Sequence, residues 1–93
     1  GIEVSGAGHD DANGVYAASG FNNNKLKFAK GTKYTIYSLR RTTGSRFYLS
    51  VGKTLLYYAE NKKYESLLPP MIGWVRVRED KDQLNLTLRF TYD

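Results

Sequence analysis

The run Lys33-Tyr34-Thr35-Ile36-Tyr37-Ser38-Leu39 and the later run Arg46-Phe47-Tyr48-Leu49-Ser50-Val51 both alternate their side chains with a period of two. Neighbouring side chains of a strand point to opposite faces, so Tyr34, Ile36 and Ser38 share one face and Thr35, Tyr37 and Leu39 the other. Phe47, Leu49 and Val51 fall together in the same way. Thr43-Gly44 and Gly52-Lys53 supply tight turns on either side of the second run, and Thr54 to Ala59 reads as the strand that follows. Strands joined by such short turns form an antiparallel meander, here with aromatic rings on both faces.

The same reading extends toward the N-terminus. Lys25 to Ala29 alternates, placing Leu26 and Phe28 inward and Lys25 and Lys27 outward. Val15 to Ser19 follows the Asn13-Gly14 dipeptide, which accepts the positive φ angles of tight turns, and Ile2 to Ser5 is a short first strand. Toward the C-terminus, Asn61 to Pro70 is polar, ends in Pro69-Pro70 and reads as the longest loop. Trp74 to Arg78 sets Val75 and Val77 against Trp74, Arg76 and Arg78, and Glu79 to Asp82 is a charged turn. Leu84, Leu86, Leu88 and Phe90 line one face of a last strand. The pattern predicts an all-β fold, a small antiparallel barrel or sandwich of about 6 to 8 short strands.

The chain has 93 residues, which suits a single β domain spanning residues 1–93. It contains no cysteine, so packed apolar and aromatic side chains must hold it together. It opens at Gly1 without a methionine, and we expect a piece excised from a longer protein. No apolar run reaches the ~18 to 20 residues of a membrane span, and no basic-then-apolar leader stands at the start. The expectation is no transmembrane segment and a cytoplasmic location.

The net charge is +5, and its distribution is uneven. From Lys25 to Lys53 there are eight basic residues and no acid. Tyrosines interleave with them, and tyrosine suits both β surfaces and interfaces because an apolar ring carries a polar tip. The candidate binding residues are Lys25, Lys27, Lys33, Tyr34, Tyr37, Arg40, Arg41, Arg46 and Tyr48. Basic grooves with stacking rings hold single-stranded nucleic acid, so that class of ligand is an alternative to a protein partner.

Catalytic patterns are weak by comparison. Gly6-Ala7-Gly8 opens like a dinucleotide fingerprint, but Asp11 takes the third glycine position and Asn13-Gly14 interrupts any helix to follow. His9, Asp10 and Asp11 are adjacent loop residues, which rarely converge on one metal ion. A single histidine and no cysteine leave no nucleophile with its base. Asn85-Leu86-Thr87 fits the glycosylation sequon but falls within an expected strand. No enzyme activity, cofactor or metal is expected.

Ile2-Glu3-Val4-Ser5-Gly6-Ala7-Gly8, then Asn13-Gly14-Val15-Tyr16 with Gly20, Leu56-Tyr57-Tyr58, Pro69-Pro70 and Gly73-Trp74 form an ordered set of short motifs. In this order the chain resembles an uncharacterised β module of protist proteins, over Ile2 to about Val77. The match departs at Phe47-Tyr48-Leu49, where that module commonly begins its middle strand with tryptophan, and Leu84 to Phe90 is an added strand. The resemblance implies an interaction or scaffolding role beside other domains. Gly6, Gly8 and Gly14 would permit turns, while Tyr16, Tyr58 and Trp74 would fill the core.

The reading that follows is a noncatalytic protein-interaction or scaffolding module, meeting its partner through an aromatic sheet face or an exposed strand edge. Single-stranded nucleic acid on the Lys25 to Lys53 segment is the alternative, and peripheral contact with an anionic membrane is a third expectation, less favoured.

Overall fold

A computed structural model describes residues 1–8, 10–42, 44–60, 67–77 and 86–91. The strands are β1 (Ile2–Ser5), β2 (Gly14–Asn22), β3 (Lys25–Lys30), β4 (Tyr34–Arg41), β5 (Gly44–Val51), β6 (Thr54–Glu60), β7 (Val75–Arg76) and β8 (Thr87–Phe90). They form one antiparallel sheet in the order β7-β6-β5-β4-β3-β2-β1-β8, curled into a half-barrel. The expected all-β, barrel-like architecture is therefore what the chain adopts. His9, the charged turn Glu79 to Asp82, Leu84, Asn85 and residues 61–66 of the expected long loop lie outside the described residues.

Local chemistry sets the hairpins. Asn23 and Asn24 take φ of 53° and 59°, the left-handed pair that a two-residue turn needs to match strand twist. Gly52, at φ 57°, serves the β5–β6 turn, and its amide donates to the Lys33 carbonyl at 2.9 Å, tying two turns together. β2 runs on to Asn22, beyond the expected end at Ser19, because its alanines, serine and glycine are held by the stronger pattern of β3. A bulge between Ala18 and Gly20 absorbs the mismatch.

The concave face is the core. Ile2, Val4, Tyr16, Phe28, Tyr34, Ile36, Phe47, Leu49, Tyr57 and Ala59 come from β1 to β6, and Leu86 and Leu88 from the C-terminal segment. The β8 pairing with β1 brings Leu88 opposite Val4. The open side of the half-barrel is crossed by Leu67–Trp74. Leu67 accepts a bond from the Leu26 amide at 3.0 Å, and Met71 accepts one from the Leu88 amide at 2.9 Å, so this strap links β3 to β8. Trp74 turns inward from the strap, and its indole donates to the Pro70 carbonyl at 2.8 Å. That inward turn shortens the expected strand at Trp74 to the two residues of β7.

One end of the half-barrel is closed by a 3₁₀ turn, Asp10–Ala12, that follows Gly6-Ala7-Gly8. Asn13 pins this loop by accepting from the Ala7 amide at 2.9 Å and donating to the Ala7 carbonyl at 3.2 Å. Lys30, on the inner alternation of β3, reaches the Asp11 and Asn13 carbonyls at 2.5 and 2.6 Å. At the other end Asn22 donates to the Ser38 carbonyl at 2.7 Å, and Asn23 donates to the Ser38 and Ser45 hydroxyls at 3.2 and 3.3 Å. Among the described residues, no helix is long and apolar enough to cross a membrane.

Candidate interaction face

The convex face of β4 to β7 carries the outward half of the alternation. Tyr37 pairs with Tyr48, Tyr48 with Tyr58, and Tyr58 with Val75, so four strands contribute one continuous rung. Cross-strand aromatic neighbours attract through their ring edges and faces. Here the ring centroids are 6.4 Å apart at both steps, with tilts of 38° and 48°. The central ring, Tyr48, is only 2% exposed, whereas Tyr37 and Tyr58 are half-buried and Val75 is exposed. Val77, whose amide donates to the Leu56 carbonyl at 3.0 Å, adds a second exposed apolar side chain beside them.

The next rung is Leu39, Arg46 and Glu60. Arg46 Nε meets Glu60 Oε1 at 2.6 Å, and its guanidinium lies 4.4 Å from the Tyr58 ring centroid. The Arg46 pKa stands above the ordinary guanidinium value: the Tyr48 hydroxyl raises it most, desolvation opposes this, and Glu60 adds to the rise. Arg41, at the end of β4, donates from Nη1 to Tyr48 Oη at 2.8 Å. Arg41 thus holds the Tyr48 hydroxyl, while Arg46, two residues from Tyr48 on the same face of β5, is held by Glu60 and the Tyr58 ring.

Of the candidate binding residues, the structure brings Tyr37, Arg41, Arg46 and Tyr48 together on this face. It places the others elsewhere. Tyr34 faces inward at 8% exposure, with Lys30 Nζ 5.8 Å from its ring centroid. Lys25 is outward on β3 but buried at 5% exposure, and Lys27 pairs with Gly20 on β2. Arg40 is exposed on the inner alternation at the end of β4. Lys33 sits in the turn before β4, and eight extended residues separate it from Arg41 by roughly 25 Å. The basic run of the sequence is therefore dispersed over both ends and both faces.

Tyr58, Glu60 and Val75 belong to the face but were not among the candidates. The expectation that Tyr58 fills the core is corrected: Tyr57 does so, at 1% exposure. An unbroken ladder from the Val51–Thr54 pair would put Tyr58 opposite Phe47, inside. A bulge between Leu49 and Ser50 shifts the register by one, so Tyr57 opposes Leu49 and Tyr58 opposes Tyr48. A single-residue slip exchanges the two faces of a strand. The signal in the sequence is Glu60, which shares the Tyr58 face and belongs in water.

No family model matches the chain, and no curated protein or solved structure matches it either. Among the described residues, no three His, Cys, Asp or Glu side chains gather to hold a metal ion. The functional reading rests on the rung and its two arginines.

Proposed function

We propose that this domain is a noncatalytic protein-interaction module that docks a protein partner on the convex β4–β7 face. The observation that carries the reading is the single rung Tyr37, Tyr48, Tyr58 and Val75, which ends in an exposed apolar side chain and is bordered by arginines. Tyrosine and arginine are the side chains that protein interfaces favour, since each couples a broad apolar surface to directional donors. The resemblance to an uncharacterised protist β module implies an interaction or scaffolding role of this kind.

Two alternatives have less support. Single-stranded nucleic acid needs open rings for successive bases, but the middle ring of this row is buried and its neighbours are tilted away from a common plane. The basic residues that would follow a phosphate backbone are dispersed, and Lys30 is spent on two carbonyls. Strand addition at the exposed Ala17 to Phe21 stretch of β2 meets the bulge between Ala18 and Gly20, a device that spoils edge pairing.

The test is to compare proteins retained from nuclease-treated lysate by the domain and by its Tyr37→Ser/Tyr58→Ser variant, with Val15→Ser as an exposed control. The reading predicts a protein retained by the parent and the control and lost with the double variant. A partner retained equally by all three, or a signal that disappears with nuclease, contradicts it.

A further inference from the structure

Arg41 and Arg46 lie on the same outward face, on either side of Tyr48. Arg41 Nη1 bonds Tyr48 Oη at 2.8 Å, while Arg46 rests on the Tyr58 ring and pairs with Glu60 at 2.6 Å. Among the described residues, two positive charges thus meet one negative charge. Arg41 is exposed and, among the described residues, spends one N–H on Tyr48. Its remaining donors form a planar fork of the shape that a carboxylate accepts.

The geometry points to a carboxylate clamp: Arg41 and Arg46, held in place around Tyr48, take an Asp or Glu side chain of the partner that covers Tyr37, Tyr58 and Val75. This deepens the reading proposed above and rests on it. Charge balance selects the ligand. One carboxylate neutralises the excess charge, whereas a phosphoryl dianion would overshoot it and crowd Glu60. Prior positioning matters as well, because a guanidinium already fixed by a hydrogen bond or a ring loses less side-chain freedom on binding than a free one. The buried Tyr48 is then more than a packing residue: its ring fills the row and its hydroxyl aims Arg41.

The clamp is tested by following arginine Nε–H signals in a nitrogen-15 NMR titration at near-physiological ionic strength. The probes are a blocked peptide of alternating glutamate and threonine, its glutamine counterpart, a phosphoserine counterpart and oligothymidine. The expected result is a shift of Arg46 and Arg41 with the glutamate peptide and none with glutamine. Arg41→Gln, at an exposed site, should weaken the glutamate peptide about fivefold, and Lys53→Gln, in the distant β5–β6 turn, should leave it unchanged. Equal weakening by both variants, absent arginine shifts, or tighter binding of the phosphoserine peptide or oligothymidine overturns the clamp. If tyrosine-dependent capture holds while Arg41→Gln binds the glutamate peptide normally, the clamp fails and the interaction face stands. If that capture is itself absent, the face fails and takes the clamp with it.

Discussion

The Tyr57 hydroxyl accepts a hydrogen bond from the Gly8 backbone amide at 3.0 Å, linking β6 to the loop after β1. Its ring is in the core, at 1% exposure, so one side chain both fills the half-barrel and fastens the loop that closes its end. Tyr57→Phe keeps the ring and removes the acceptor. The expected loss is about 1 kcal/mol of stability by denaturant unfolding, with faster hydrogen exchange at the Gly8 amide. Unchanged Gly8 exchange would show that the bond does not hold the loop.

Tyr16 provides a second link, and it has a pH dependence. Its hydroxyl donates to the Ala12 carbonyl at 2.7 Å, and burial, followed by the neighbouring Tyr34, pushes its pKa well above the ordinary tyrosine value. The folded state therefore favours the neutral phenol. This contribution is complete below the unfolded value of about 10 and is lost as pH rises through the folded value. Stability measured from pH 8 upward should fall in alkali, and Tyr16→Phe should be less stable at neutral pH yet show a shallower alkaline fall. An identical alkaline slope in the two proteins would remove Tyr16 from the account.

Lys30 separates structural from partner-facing charge. Among the described residues it pairs with no carboxylate; it donates to the Asp11 and Asn13 carbonyls and approaches the Tyr34 ring. Lys30→Met should cost about 2 kcal/mol of stability, because two carbonyls lose a charged donor. It should leave partner capture at the folded protein unaltered. Full stability together with lost capture would return this lysine to the binding surface.

Much of this fold is legible in the alternation of the sequence. Leu26 and Phe28, Tyr34 and Ile36, and Phe47 and Leu49 all face inward as their spacing requires, and the Gly52-Lys53 turn lies where glycine allows it. The face was only partly legible. Tyr37, Tyr48, Arg41 and Arg46 alternate openly with the core residues, but Tyr58 depends on a bulge between Leu49 and Ser50 that no residue type there announces. Lys30 looks like any surface lysine until the 3₁₀ turn arrives beneath it, and the pairing of β8 with β1 is a long-range choice without a local signature. Pro69-Pro70 marked a break in the strands, yet only packing reveals that the break spans the open side of the half-barrel. Charge summed along the chain was the weakest guide, since adjacent bases such as Arg40 and Arg41 fall on opposite faces.

The central claim is that the partner sits on the convex β4–β7 face. The most direct measurement is photo-crosslinking in cells, with a benzophenone amino acid placed at Val75 or at Val15. The two positions are matched in exposure, at 49% and 50%, but Val15 lies on β2, away from the tyrosine rung. The account predicts a discrete, nuclease-resistant protein adduct from position 75 that is lost with Tyr37→Ser/Tyr58→Ser, and none from position 15. Adducts of equal yield from both positions, or from position 15 alone, would contradict it.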